Sequence, residues 1–364
     1  MKHLLTMLIT FLIGMVIAPI IGLESPYIFA GAWTLLAITV SLMKDSSLAF
    51  SLVGLDLDDF STALGAYSRK HEKAIQTAIF QDIEFEKYMR KVTGVTDEYS
   101  IGGAGMTEVL QPWQCGWTPK GESVFTALIN KVRQIKIDFT LGCLDDLYRT
   151  YLSYLVSENL TPDKYPIVKW VIYNQLIPQI KEEIDYNSYN GVYAAPTPGT
   201  AGTSVSTVDG LAKINADLIT AGSVTEITTG AITATNILEK VETFVDTVPV
   251  KYRNMATPIF MSKTNARRYQ RDYRSNFGTD ADFRKQDNLM VDATNKKIIG
   301  ISAMEGSDRF IHTSKDNMMV MFDKTYAPNK LTTQLDKRDV CVLGDFKRGY
   351  GYGYLESVFL NDQA

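Results

Sequence analysis

The chain opens on an almost unbroken apolar pattern and then changes character. From Met1 to Met43 only Lys2 and Glu24 carry full charge. Leu4 to Leu23 is an apolar run of twenty residues, long enough to cross the ~30 Å core of a bilayer, and Ile28 to Met43 is a second, marginal run of sixteen. The pair reads as a helical hairpin turning at Glu24, Ser25 and Pro26. A signal peptide competes, because Lys2 and His3 make a short basic start, but no A-x-A cleavage site follows. A third reading is a removable or inward-facing arm of an assembling protein.

From Lys44 onward the pattern is that of a mixed α and β protein. Asp56 to Val92 predicts a helix: Asp58 and Asp59 suit the positive end of its dipole, Ala63, Tyr67, Ala74, Ala78, Ile79, Ile83 and Tyr88 recur at helical spacing, and Gly94 stops it. Residues 106–141 change to extended runs around Thr118-Pro119-Lys120-Gly121. In their second half Val132, Ile135, Ile137 and Phe139 alternate with Lys131, Arg133, Lys136 and Asp138, which predicts a two-stranded arm. Such a hairpin is marginal alone, so it must rest on something else. Asp163 to Asn190 predicts a helix of ~40 Å, with Asp163 as N-cap, Pro166 in the first turn and a kink or restart at Pro178. Pro196 to Gly210 is a loop, since eleven of its fifteen residues are Pro, Thr, Gly or Ser. Beyond it lie a helix over Asn236–Val248 capped by Thr235, a buried strand at Thr257–Met261, and a helix from Lys263 to Phe277 capped by Ser262 and closed by Gly278. Strands are expected at Lys296–Met304, Asn317–Phe322, Asp339–Phe346 and Leu355–Leu360, the last led in by Gly349-Tyr350-Gly351-Tyr352-Gly353-Tyr354.

Composition narrows the function classes. The 364 residues suffice for two domains or one elaborated one, and 45% hydrophobic against 21% charged residues indicates a folded chain. Thirty-seven basic residues against forty-one acidic ones give a net charge of −4, which argues against coating nucleic acid by bulk charge. Cys115, Cys143 and Cys341 are too few and too scattered for a disulfide framework or a four-cysteine zinc site, and His3, His71 and His312 have no metal-binding spacing. No Walker loop and no G-x-S-x-G elbow occurs, and Gly102-Gly103-Ala104-Gly105 lacks the strand-turn-helix setting of a phosphate loop. Asp145-Asp146 and Glu182-Glu183 read as helix ends or solvated faces, and the acidic setting of Cys143 is wrong for a nucleophile. His312 reads as a packing residue. The only basic cluster with interleaved aromatics is Arg267, Arg268, Arg271 and Arg274 around Tyr269 and Tyr273: a charged helix face, or a surface that faces nucleic acid. The residues therefore describe a non-enzyme with a projecting arm and a long helix, needing no cofactor and no metal, whose work is contact with copies of itself.

The stretch Gln111-Pro112-Trp113, Gly116-Trp117-Thr118-Pro119-Lys120-Gly121 and Val132–Asp138 resembles the extended loop of tailed-bacteriophage major capsid proteins, particularly those of phages and prophages of Bacteroidetes-type hosts. Tyr165–Glu183, ending Tyr189-Asn190-Gly191-Val192-Tyr193, resembles that group's spine helix, and Pro258–Ser262 with Ala266–Tyr269 resembles the strand-Ser-helix step of its axial domain. Lys297–Ile301 and Met318–Asp323 fit the strands that follow, so the likeness runs from about residue 55 to 360, carried by element order more than by any one motif. The resemblance implies an α+β Hong Kong 97-like capsid fold. On it, 1–47 is a hydrophobic N-terminal extension, 48–96 an N-terminal arm, 97–141 the extended β-hairpin loop, 142–207 a peripheral domain with the spine helix, 208–337 an axial domain, and 338–364 a return to the peripheral domain. It implies a virion protein that forms hexamers and pentamers of an icosahedral shell around double-stranded DNA, assembled in the host bacterial cytoplasm. The implied partners are itself, a portal, decoration or scaffolding proteins, the DNA by weak non-specific contact, and a membrane for the N-terminal segment. Trp113, Trp117, Lys120, Arg133 and Lys136 are then the expected inter-subunit contacts, with Lys120 a conceivable cross-linking donor. Two alternatives stay open: a membrane-anchored surface protein using residues 4–43, and an encapsulin-like compartment subunit that encloses cargo.

Overall fold

The computed structural model describes residues 57–106, 108–142, 144–278, 289–292, 294–314, 316–323, 329–336 and 339–363. Both apolar runs, the beginning of the N-terminal arm and Cys143 lie outside them. The described chain is α+β. Its helices are α1 (Leu57–Lys70), α2 (Glu72–Phe80), α3 (Leu144–Ser157), α4 (Ile167–Trp170), α5 (Ile177–Asn190), α6 (Leu211–Thr220), α7 (Ile237–Thr247), α8 (Val250–Arg253) and α9 (Lys263–Phe277).

The expected helix over 56–92 is shorter and broken. α1 gives way to α2 at His71, α2 ends at Phe80, and Asp82 turns the chain with a φ of 67°. A 3-10 turn, Phe85–Tyr88, then leads into strand β1 (Arg90–Thr93). The end of the predicted helix is a strand because its backbone pairs in parallel with β9 (Met318–Phe322), an apolar strand buried at every position. Long-range pairing overrides a helical spacing that Ile83 and Tyr88 satisfied only by coincidence.

Two five-stranded sheets organise the fold. The first is built on β11 (Asp339–Tyr352), which runs fourteen residues and not the eight expected. One flank of it carries β4 (Arg133–Leu141), paired from Arg348↔Arg133 to Val340↔Leu141. β10 (Asn329–Asp336) pairs with its first half and β9 with its second. The second sheet has the order β5 (Glu226–Ile227), β12 (Phe359–Asn361), β8 (Ile311–His312), β6 (Ile259–Ser262) and β7 (Ile298–Ile301). β6 and β7 pair in parallel with α9 as their crossover, and β8 runs antiparallel to β6. The strand expected at 355–360 is a 3-10 turn, Leu355–Ser357, followed only by β12. One hydrophobic core joins both sheets: Phe85, Tyr189, Leu211, Phe260, Ile311, Met318, Val320, Tyr350, Tyr352 and Leu360 are all buried in a single cluster. A second cluster, with Val241, Phe244, Met261, Tyr269 and Phe310, fills the space between α7, α9 and the second sheet.

The long helix starts at Ile167, after Pro166, and not at Asp163. Between α4 and α5 the chain widens into a π-helical turn, Val171–Leu176. Pro178 lies in the first turn of α5. It has no N–H to give to the preceding turn and its ring would crowd an α-helical carbonyl there, so the wider turn is where the helix absorbs it. Caps follow the same logic of local signal and tertiary correction. Ser262 caps α9 as expected, its Oγ accepting from Asn265 N at 3.2 Å, and Gly278 ends it at φ 79°. Thr235 does not cap α7. The first turn of α7 is held from outside, where the buried Asp272 carboxylate of α9 accepts from Leu238 N at 3.0 Å. That places a negative charge at the positive end of the α7 dipole and ties two helices with one group.

The carboxyl end is fastened in the same way. Asp362 accepts from Thr229 N at 2.9 Å, Gly230 N at 3.1 Å and Thr229 Oγ1 at 2.9 Å. Burial pushes this carboxyl up, but the hydrogen bonds from Thr229, Gln363 and Gly230 outweigh it and hold its pKa at about 2 against the usual 3.8. Between those values the unfolded chain binds the proton and the folded chain does not, so stability falls as pH drops through the window. Urea unfolding of the wild-type protein is expected to lose stability from about pH 4 toward pH 2 by a component that Asp362→Asn lacks; equal pH slopes in the two proteins would show that the clamp does not hold the terminus.

Candidate interaction surface

The arm is a hairpin of β2 (Glu98–Met106) and β3 (Ser123–Lys131), nine residues each and paired in register from Glu98↔Lys131 to Met106↔Ser123. It forms a sheet of its own. The alternating segment expected to be its second strand is instead β4, which belongs to the first sheet and keeps the predicted alternation, with Ile135, Ile137 and Phe139 half-buried and Gln134, Lys136 and Asp138 exposed. β2 gave no alternation to read because Gly102, Gly103 and Gly105 interrupt it.

Beyond the strands, residues 108–122 make a tip without regular structure. Trp113 and Trp117 are 90% and 89% exposed, Leu110 is 91% exposed, and Val109 and Cys115 are exposed as well. Polar groups fix its shape from within. Lys120 Nζ lies 3.0 Å from Glu108 Oε2 and donates to Leu110 O at 3.0 Å, and Gln111 Nε2 donates to Thr118 O at 2.7 Å. Lys120 is therefore engaged within the hairpin, and it braces the two sides of the tip. A tip held by polar contacts with its tryptophans outside has the composition of an interface anchor, because Trp gives large contact area at low entropy cost.

The remaining expected contact residues lie at the root. Arg133 stacks on the Tyr193 ring at 3.8 Å, which joins β4 to the segment after α5. Lys136 is exposed and pairs with Asp138, whose hydrogen bond and charge raise the Lys136 pKa. The tip and root residues are thus on one continuous arm and strand, but only the tip is apolar and exposed. The arginines of α9 are divided. Arg268 is half-buried, bonds Asn265 Oδ1 at 3.0 Å and lies 3.8 Å from Asp308, while Arg267, which lies 3.9 Å from Glu305, Arg271 and Arg274 are exposed. Tyr269 is wholly buried beneath them.

Groups with reactive chemistry serve as struts. Lys296 is fully buried, with Nζ donating to Tyr252 O at 3.2 Å, Thr257 Oγ1 at 3.2 Å and His312 Nε2 at 2.7 Å. Burial lowers its pKa to about 8, and burial together with the Lys296 charge lowers that of His312 to about 3, so His312 is neutral at pH 7 and accepts at Nε2. His312 Nδ1 has no partner, so the expected packing role is met with one polar atom left over. Glu86 and Arg348, 2% and 1% exposed, form a buried bidentate pair: Arg348 Nε donates to Glu86 Oε1 at 2.8 Å, Arg348 also bonds Glu86 Oε2, and the Tyr350 hydroxyl donates to Glu86 Oε1 at 2.9 Å. Sequence reading singled out neither Glu86 nor Lys296, because an isolated charge in a polar stretch carries no mark of burial. Among the described residues no group of His, Cys, Asp and Glu could hold a metal ion, and no helix is long and apolar enough to cross a membrane.

No family model matches the sequence, and no curated protein is detectably similar to it. Solved structures with a similar chain course include the satellite phage P4 procapsid with its size determination protein, at 13% identity, covering 80% of this chain and 98% of that one with a TM-score of 0.47. The Gordonia phage Cozz structure is similar at 12% identity, over 76% of this chain and 85% of that one, with a TM-score of 0.46. The capsid of a native GTA particle is similar at 9% identity, over 77% and 89%, with a TM-score of 0.46.

Proposed function

We propose that this protein is a structural virion subunit, a major capsid protein that assembles with copies of itself into a closed shell around double-stranded DNA. The observation that carries the reading is the hairpin: a separate two-stranded sheet whose tip exposes Leu110, Trp113 and Trp117 almost completely. Apolar side chains of that size, held outward by an internal polar brace, gain free energy only when a second surface covers them. The occupant is a neighbouring copy, because the element order around the hairpin is the one the capsid resemblance implies: arm, extended loop, long helix, strand-Ser-helix step and a returning last strand. The hexamers and pentamers, the portal, decoration or scaffolding partners and assembly in the host cytoplasm come with this reading. So does weak, non-specific DNA contact, for which Arg267, Arg271 and Arg274 are the exposed arginines of α9. A net charge of −4 suits a wall that encloses DNA without gripping it.

Purified protein is expected to form closed icosahedral particles visible by negative-stain electron microscopy. Particles holding nuclease-protected DNA support a virion shell, and particles holding protein cargo support the encapsulin-like alternative. A detergent-dependent monomer retaining its N-terminal segment overturns both and supports the membrane-anchored alternative.

A further inference from the structure

The Gly349-Tyr350-Gly351-Tyr352 run has no role in the function proposed above, and its position shows one. It lies in β11 where the root of the hairpin crosses the first sheet. A Cβ on Gly351 would lie 2.0 Å from Asn130 Oδ1 and 2.5 Å from its Cγ, and a Cβ on Gly349 would lie 2.3 Å from Lys131 O. Asn130 is buried, and its Nδ2 donates to Tyr352 O at 3.2 Å. The two glycines thus let β3 approach β11 closely: Gly351 leaves the space that the Asn130 side chain fills, and Gly349 the space for the Lys131 backbone that follows it. Around this joint Val132 is buried with Val95 and Met321, Val132 N donates to Asp97 O at 2.7 Å, and Lys347 Nζ donates to Thr96 O at 2.8 Å. Asn130 and Lys131 end β3, and Arg133 begins β4, so the same few residues that leave the hairpin enter the sheet.

We infer that Asn130 seated against Gly351, with the Lys131 backbone against Gly349, sets the direction in which the hairpin leaves the body of the subunit, and so the place where the Trp113 and Trp117 tip meets a neighbouring copy. Asn130 and Gly351 are positioning residues for assembly, and this role rests on the capsid reading. The physical ground is leverage. The tip lies some nine residues of strand beyond the joint, about 30 Å at ~3.3 Å per residue, so a tilt of a few degrees at the root displaces the tip by ångströms. A root fixed before contact also spares the assembled state the entropy of ordering the arm.

The joint can be tested apart from assembly. The full-length protein carries a donor dye on Cys115 at the tip and an acceptor on the thiol introduced by Glu182→Cys on α5, with Cys143→Ser and Cys341→Ser removing the other thiols. Under non-assembling conditions the dye pair reports the tip-to-body distance. The original protein is expected to show one narrow distance distribution, Asn130→Ala a broader one, and Gly351→Ala a displaced one. In the Asn130→Ala background the two contacts closest to a Gly351→Ala Cβ, Asn130 Oδ1 and Cγ, are gone and the carbon at position 130 lies 3.1 Å away, so its displacement is expected to shrink sharply. That non-additivity is the mark of two residues acting through one contact. Assembled particles are expected to fall about tenfold in either single variant and not to fall further in the double one. Circular dichroism and urea unfolding check that each variant is folded, and Asn130→Asp, which keeps the shape but loses the donor, separates the seating from the hydrogen bond. Folded single variants with unchanged tip distances overturn the inference, as do additive effects in the double variant. An original protein that forms no particles overturns the capsid reading instead, while the distances still decide whether the joint directs the arm.

Discussion

Glu86→Ala is expected to cost about 3–5 kcal/mol of unfolding free energy, the range for removing one partner of a buried ion pair. The pair bridges distant parts of the chain: Glu86 lies in the 3-10 turn before β1, and Arg348 and Tyr350 lie in β11. Without the carboxylate, the Arg348 guanidinium stays buried with its charge uncompensated between the Phe80 and Phe322 rings, each 4.9 Å away, and the Tyr350 hydroxyl loses its acceptor. Burial acts to lower the Arg348 pKa, but the Glu86 charge outweighs it and the pKa is raised, so the guanidinium keeps its charge at neutral pH. Against a total stability of about 5–15 kcal/mol such a loss is large. Urea unfolding of the subunit checks it. The double variant Glu86→Leu with Arg348→Met should recover most of the loss, since an apolar pair of similar volume avoids the desolvation of two charges. A loss below about 1 kcal/mol for Glu86→Ala would mean that water reaches the pair.

Trp113→Ala with Trp117→Ala is expected to do the reverse, leaving the subunit folded and abolishing its assembly. Both indoles are about nine-tenths exposed, so their removal takes little from the core, and surface changes of this kind stay within about 0.5 kcal/mol. At an interface, a buried Trp that acts as an anchor contributes about 2 kcal/mol or more. A shell repeats each contact in every subunit, so the loss multiplies across the particle. Unfolding curves matching the original protein, with no particles in sedimentation or electron microscopy, are the expected result. Normal particle yield from the double variant would show that the tip is not the anchor and would remove the main support for the capsid reading.

The two expected results differ in how legible their residues were. Trp113, Trp117 and Lys120 were singled out by the resemblance of their stretch to a capsid extended loop, while the residues themselves marked only a turn at Thr118-Pro119-Lys120-Gly121 between extended runs. The spine helix and the strand-Ser-helix step were equally legible, since Ile177, Ile180 and Ile184 keep helical spacing and Ser262 has the chemistry of a cap. The helices α3 and α6 and the strand β10 were not anticipated. α3 is rich in tyrosine, which suits strands as well as helices, and among its described side chains Tyr151 and Leu155 alone are deeply buried. The hairpin was expected in the right region with both strands misplaced: the run before Thr118 is the irregular tip, the first strand lies upstream at Glu98–Met106, and the alternating run is β4, because alternation records that a strand has one covered face and not which strand lies beside it.

The sequence by itself determined the α+β class, the presence of an arm and a long helix, and the Ser262 and Gly278 caps of α9, since periodicity, capping chemistry and glycine placement act between residues close along the chain. Only the tertiary structure decided that β4 belongs to the sheet, that Asp272 caps a helix other than its own, that Glu86 meets Arg348, and that Asn130 sits against Gly351. Each of these joins residues 34 to more than 200 positions apart. Pairing at such distances is set by which apolar surfaces must be covered together, and that is a property of the whole packed core and not of any local pattern.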